Sequence, residues 1–146
     1  MKNIIQQHQI NILLAEDDRE DRVFFYKALQ EIPIATNLSI VKDGARLMQL
    51  LDDNTGPLPD ILFLDLSMPY KTGFECLAEI KENEKLKELP VVMLTASFTR
   101  GIELENNLKN TLAGMGAQDY IRKTGNFEQL KQALEQTLHT VMKKAG

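Results

Sequence analysis

The chain has 146 residues and, with 17 basic against 21 acidic side chains, a net charge of −4. That length suits one domain around one core, and 43% apolar with 26% charged residues excludes wholesale disorder. The acidic balance argues against a nucleic-acid surface, and the lone Cys76 excludes an internal disulfide or a zinc site built on several thiolates.

Uninterrupted apolar runs reach only four residues, as at Val91 to Leu94, too few for a membrane-spanning helix. Met1 to Ile10 is polar and Gln-rich, without the apolar stretch of a signal peptide. A soluble, cytoplasmic protein is therefore expected. Ile10 to Ala15 reads as a buried strand. Arg19 to Glu31 follows as a helix with Phe25, Ala28, Leu29 and Ile32 on one face. Leu38 to Val41 is a second, shorter strand. Asp43-Gly44 turns into a helix carrying Leu47, Leu50 and Leu51, and Asp52 to Asp60, with Gly56, Pro57 and Pro59, is a loop. Ile61 to Leu64 is apolar throughout, as a strand covered on both faces should be. Thr72-x-x-Glu75 is a capping-box pattern opening a helix with Phe74, Leu77 and Ala78 inward. Val91 to Leu94 is a fourth strand. Leu104, Leu108, Leu112 and Met115 then mark a helix anchored on the sheet that stops near Gly114 and Gly116. Asp119 to Ile121 is a short fifth strand. Asn126 caps a last helix with Phe127, Leu130, Leu134, Leu138 and Val141 aligned.

Five strand–helix pairs predict an α/β domain over residues 1–146, with its core at about 10–142 and no output domain. Right-handed crossovers place helices on both faces of a parallel sheet. In such sheets the site lies outside the carboxyl ends of the strands. Those ends carry Glu16-Asp17-Asp18, Asp65, Thr95-Ala96, and Tyr120 with Lys123. Crowded carboxylates repel unless a cation or proton intervenes. Magnesium suits them, taking carboxylates, a carbonyl and waters. A carboxylate can then act as nucleophile towards a phosphoryl group, with Lys123 and Thr95 meeting the phosphoryl oxygens. Singly, each residue reads more simply: Asp17 and Asp18 as helix caps, Asp65 as a turn residue, Thr95 as a strand end, Lys123 as a solvated lysine, Tyr120 as packing. It is their order along the strands that is specific.

With that order the chain resembles response-regulator receiver domains of the stand-alone, chemotaxis-regulator kind, from about Ile10 to Val141. Asp65-Leu-Ser-Met68-Pro69-Tyr-Lys-Thr-Gly73 is similar to the family's phosphoacceptor loop. Ile12-Leu-Leu-Ala-Glu16-Asp17-Asp18 with Arg22, Thr95-Ala96, and Tyr120-x-x-Lys123 match the other signatures. The resemblance implies a flavodoxin-like, doubly wound five-stranded sheet of order 2-1-3-4-5. It implies a two-component signalling module, not an enzyme acting on separate substrates. Asp65 would accept a phosphoryl group from a sensor histidine kinase or a histidine phosphotransfer protein. Asp17, Asp65 and the Ser67 carbonyl would bind Mg2+, with Glu16 helping. Asp18 would be an extra acid opening the first helix through Asp18-x-x-Asp21. Thr95 would bond the phosphoryl group, Lys123 would pair with Asp65 at rest, and Tyr120 would change rotamer between states. A monomer or weak dimer is expected.

The chain also departs from the family pattern. Thr124 follows Lys123 where many members have a proline, often after a cis bond. A cis bond without proline costs roughly 2.5–4 kcal/mol, so a trans bond is expected. Thr95 to Lys123 is longer than usual, with the surplus over Ser97 to Asn110. There Phe98 and Ile102 have no place in the helical stripe, and the segment is expected to be the most mobile near the site. The Asp52 to Asp60 loop is also long. Two other readings compete. A receiver-like binding module that is never phosphorylated is opposed by the complete set of Glu16, Asp17, Asp65, Thr95 and Lys123. A haloacid-dehalogenase-like phosphatase would need an acid where Ser67 stands.

Overall fold

The computed structural model of the protein describes residues 9–96 and 102–145. Strands and helices alternate: β1 (Ile10–Ala15), α1 (Arg19–Gln30), β2 (Thr36–Val41), α2 (Gly44–Asp53), β3 (Ile61–Asp65), α3 (Gly73–Glu82), β4 (Val91–Ala96), α4 (Ile102–Gly114), β5 (Asp119–Lys123) and α5 (Phe127–Ala145). The strands form one parallel sheet of order β2-β1-β3-β4-β5, the flavodoxin-like arrangement.

Side chains alternate across a strand, and here the alternation sorts the core into two layers. Ile12, Leu14, Phe63, Val92, Leu94 and Ile121 meet Phe25, Ala28 and Leu29 of α1 and Leu134 and Leu138 of α5. Leu13, Ala15, Leu62, Leu64, Val91 and Met93 meet Leu47 and Leu51 of α2, Cys76, Leu77 and Ile80 of α3, and Leu112 of α4. Residues paired in a parallel register share a face. Asp65, paired with Leu94, therefore lies on the α1/α5 face. Thr95, paired with Arg122, takes the α4 face, and Lys123 continues the face of Ile121.

Local chemistry starts the helices where the sequence predicts. Asp43 accepts from the Arg46 backbone N–H at 2.7 Å, and Asn126 from that of Gln129 at 2.9 Å. Thr72 and Glu75 make the reciprocal capping box. The strands run further than expected. β2 begins at Thr36 because Thr36 and Asn37 pair with Ile10 and Asn11. β4 reaches Ala96 and β5 reaches Lys123, through the pairs Thr95–Arg122 and Ala96–Lys123. Ladder pairing extends a strand beyond its apolar run.

Two inward assignments are corrected. Phe74 is 37% exposed, because Gly73 takes the inward position at the start of α3, and Cys76, Leu77 and Ile80 complete that face. Leu104 is 48% exposed, so α4 does not rest on it. The helix rests instead on Leu112, with Leu108 and Met115 packed beside it. Leu50 on α2 is also largely exposed, and Met48 joins Leu47 and Leu51 inside. Phe98 lies in 97–101, the start of the lengthened segment, which is outside the described residues.

The loop after β3 folds tightly back on the sheet. The Gly73 N–H donates to the Leu66 carbonyl at 3.0 Å. A Cβ on Gly73 would lie 2.4 Å from the Asp65 carbonyl oxygen and 2.7 Å from Leu66 Cα, both backbone atoms that cannot step aside. Gly73→Ala should therefore destabilise the fold by roughly 1–3 kcal/mol, read as a lower urea midpoint. An unchanged midpoint would show that the loop yields freely.

Candidate functional site

The site forms at the sheet edge where β1, β3 and β5 end, with β4 between β3 and β5. Glu16 follows β1, Asp65 ends β3 and Lys123 ends β5. The sheet carries all three to one edge, and side-chain alternation sets Asp65 and Lys123 on the α1/α5 face. Lys123 Nζ lies 2.7 Å from Glu16, 3.0 Å from Asp21 and 3.2 Å from Asp65. Glu16 and Asp65 are buried, at 1% and 4% exposure, and Asp17 is exposed. Oxygens of Glu16, Asp17 and Asp65 all lie within 4.8 Å of one another.

The acidic register is thereby placed. Glu16 and Asp17 form the pair beside Asp65, and Asp18 is the N-cap of α1, as the extra acid was expected to be. Its partner differs from the expected one: Asp18 accepts from the Glu20 backbone N–H at 3.4 Å, and Asp21 turns to Lys123 instead. Arg22 donates to the backbone carbonyls of Glu16 and Asp17, at 3.1 and 2.8 Å, and so fixes the turn that presents both acids.

Electrostatics follow from burial and crowding. Burial, with the Asp65 charge adding to it, pushes the Glu16 carboxyl up to about 8, against the pull of Lys123. Burial raises Asp65 as well, although Lys123 opposes it. Burial works against the Lys123 ammonium, but Glu16, Asp21 and Asp65 outweigh it and hold the group above its ordinary range. One ammonium thus serves a cluster that carries more negative charge than it can balance. Hard oxygen donors this close together fit a small divalent cation.

Thr95 stands at the end of β4, next to the Asp65 strand. Its hydroxyl is buried and has no hydrogen-bond partner among the described residues. An unsatisfied buried hydroxyl costs about 1–3 kcal/mol, so its presence calls for an explanation. Tyr120 lies on the α4 face of β5. Its phenol donates to Glu105 of α4, and Arg122 pairs with the same carboxylate at 3.1 Å. Burial, reinforced by Glu105, pushes the Tyr120 phenol up to about 12. Lys109 Nζ stands 5.9 Å from the centre of its ring. Ser67 is exposed in the loop two residues beyond Asp65. In that loop Tyr70 adopts φ 69°, and the Lys71 N–H reaches back to the Pro69 carbonyl at 2.7 Å in a tight γ-turn. No described peptide bond is cis, so Lys123–Thr124 is trans, as expected without a proline.

In the sequence Asp21 reads only as part of the opening of α1, and nothing singles out Glu105. Each is a partly buried acid on a helix, where one acid among several carries no pattern. Asp21 lies 102 residues from Lys123. Only the packing of α1 against the β5 end brings the two together.

A family model described as the response regulator receiver domain matches residues 12–135. The chain is 41% identical over 90 residues to the response regulator Rcp1 of Synechocystis sp., a stretch covering 59% of this chain and 61% of that relative. It is similar in structure to the Mn2+-bound form of Rcp1, with a TM-score of 0.72 and 32% identity over 86% of this chain and 88% of the other. It is also similar to the phosphorylated cyanobacterial phytochrome response regulator RcpA, with a TM-score of 0.79 and 29% identity over 95% and 98% of the two chains. Among the described residues, no helix is long and apolar enough to cross a membrane.

The raised carboxyl has a consequence for stability. The Glu16 carboxyl has its ordinary value of 4.5 when unfolded and is pushed up to about 8 by burial when folded. Between those values the folded chain holds a proton that the unfolded chain does not, so stability falls as pH rises through the window. In EDTA, the melting temperature should therefore rise as pH is lowered from about 8.5 to about 5.5. Glu16→Gln should flatten that slope, and a divalent cation should lift the melting temperature most at the alkaline end. A slope unchanged by Glu16→Gln would remove the group from the cluster's charge balance.

Proposed function

The chain belongs to the response regulator receiver domain family, and from that premise we propose that it accepts a phosphoryl group on Asp65 from a histidine kinase or histidine phosphotransfer protein and thereby switches its binding surface. Receiver domains are modules of two-component signalling, and a histidine kinase partner is implied by that membership. The observation that carries the finer reading is the grouping at the strand ends. Asp65 is one of three carboxylates within 4.8 Å, Lys123 touches it at 3.2 Å, and the buried Thr95 hydroxyl on the neighbouring strand lacks a partner among the described residues. The Mn2+-bound form of Rcp1 and the phosphorylated form of RcpA add support from relatives.

Each residue has a role in this reading. An Asp65 oxygen forms the new O–P bond as the N–P bond of the donor phosphohistidine breaks. The imidazole leaves neutral once its other ring nitrogen carries a proton. Asp17, Asp65 and the Ser67 backbone carbonyl, with Glu16 behind them, would hold Mg2+, which supplies positive charge against the carboxylates and the phosphoryl oxygens. Lys123 donates to a phosphoryl oxygen, and Thr95 donates its unused hydroxyl to another. Ala96, small and exposed beside Thr95, leaves the approach open.

The switch then follows from differential contact. The phosphoryl group favours whichever state lets Thr95 and Lys123 reach it, and it shifts the population by that difference alone. Thr95 is paired in the ladder with Arg122, and Arg122 shares Glu105 with Tyr120. Movement of Thr95 towards Asp65 would strain that pairing, and Tyr120 is the aromatic that answers it.

Acetyl phosphate with Mg2+ should label the protein with an acid-stable, alkali-labile acyl phosphate. Asp65→Asn should abolish it, because an amide is a poor nucleophile, and EDTA should do the same. Labelling that persists in Asp65→Asn would place the acceptor elsewhere, and no labelling of the parent would favour a module that is never phosphorylated. Thr95→Val should separate stability from switching. It removes a hydroxyl with no partner among the described residues, so the resting protein should keep its stability or gain about 1 kcal/mol in urea unfolding. The same variant should lose much of the thermal stabilisation that beryllofluoride, a phosphoryl mimic, gives the parent. Full beryllofluoride stabilisation in Thr95→Val would remove Thr95 from the site.

A further inference from the structure

A lysine ammonium has three N–H donors and no acceptor. In Lys123 all three have carboxylate partners: Glu16 at 2.7 Å, Asp21 at 3.0 Å and Asp65 at 3.2 Å. A phosphoryl oxygen that accepts a hydrogen bond from Lys123 must therefore displace one of them. The three differ in what displacement costs. The side chains of Glu16 and Asp65 are 1% and 5% exposed, so water cannot readily replace a lost partner there. The Asp21 side chain is 38% exposed in the first turn of α1, and its carboxylate can hydrate as soon as it is released. It also borders, with Lys123, Phe24 and Asn126, a cavity of about 50 Å³ that gives it room to turn.

We propose that Asp21 is a positioning residue that competes with the phosphoryl group for Lys123 and so weakens the site's hold on that group. The proposal rests on Asp65 being the phosphoacceptor. At rest Asp21 holds Lys123 on the α1 side of the cluster. When the phosphoryl group arrives, Lys123 gives up Asp21, keeps Glu16, and turns its freed N–H to a phosphoryl oxygen. Asp21 thereby sets how easily the active state forms, without touching the transferred group. It stands apart from the three carboxylates grouped within 4.8 Å, so its removal leaves that cluster whole.

The test is the dissociation constant for beryllofluoride in saturating Mg2+, measured for the parent and for Asp21→Asn, Asp21→Glu and Glu20→Gln. Glu20 is an exposed acid one residue away and is not among the partners of Lys123, so its variant makes the same charge change without the same contact. Partly exposed ion pairs are weak, so the expected effect is about two- to fivefold tighter binding in Asp21→Asn. Asp21→Glu should bind like the parent, because a carboxylate is restored, and Glu20→Gln should stay near the parent. Asp21→Asn binding no tighter than Glu20→Gln would overturn the proposal, since the gain would then be charge alone. A parent and variants that all fail to bind beryllofluoride would overturn the underlying reading of Asp65, an outcome distinct from equal binding by all.

Discussion

Buried carboxylates repel one another, and the rest of the site is arranged around that repulsion. Glu16 and Asp65 lie almost out of water, Asp17 joins them within 4.8 Å, and a single ammonium faces the group. Folding gathers these charges because the strands that carry them must pair. β1 and β3 are adjacent, β3 and β4 are adjacent, and β5 follows at the edge. The apolar runs that drive this pairing bring the acids together whether or not the acids gain by it. The result is a pocket short of positive charge, raised in its carboxyl pKa values, and ready to gain from a divalent cation.

The sheet also divides the labour. Asp65 and Lys123 lie on the α1/α5 face, where Asp21 meets them. Thr95 and Arg122 lie on the α4 face with Tyr120, where Glu105 ties strand to helix. Charge is gathered on one side of the sheet, and the contacts of Tyr120 and Arg122 with Glu105 are on the other. The β4 strand end joins them. Its Thr95 hydroxyl is buried without a partner among the described residues, a cost that a newly arrived acceptor would relieve. An arrangement with a standing deficit at the strand end and a bonded aromatic one face away is suited to two discrete states.

Much of this was legible in the sequence, for identifiable reasons. Four-residue apolar runs at regular intervals predict a parallel sheet, and a parallel sheet puts Glu16, Asp65, Thr95 and Lys123 at one edge. The cap residues Asp43, Thr72 and Asn126 announce their helices through their own side-chain chemistry. What escaped reading depends on partners distant in the chain. Thr36 and Asn37 become strand only because Ile10 and Asn11 pair with them. Phe74 turns outward because Gly73 must meet the backbone of Asp65 and Leu66. Asp21 and Glu105 look like ordinary solvated acids until α1 and α4 dock on the sheet. Helical charge has no period that reveals its partner.

The central claim is that Asp65, Lys123 and the buried Thr95 hydroxyl form one receptor for a phosphoryl group. A crystal structure with Mg2+ and beryllofluoride tests it most directly. The account predicts beryllium bonded to an Asp65 oxygen, with Lys123 Nζ and Thr95 Oγ1 each within about 3.2 Å of a fluorine. Beryllofluoride seated on another carboxylate, or a Thr95 hydroxyl still buried and unpartnered beside an occupied Asp65, would contradict it.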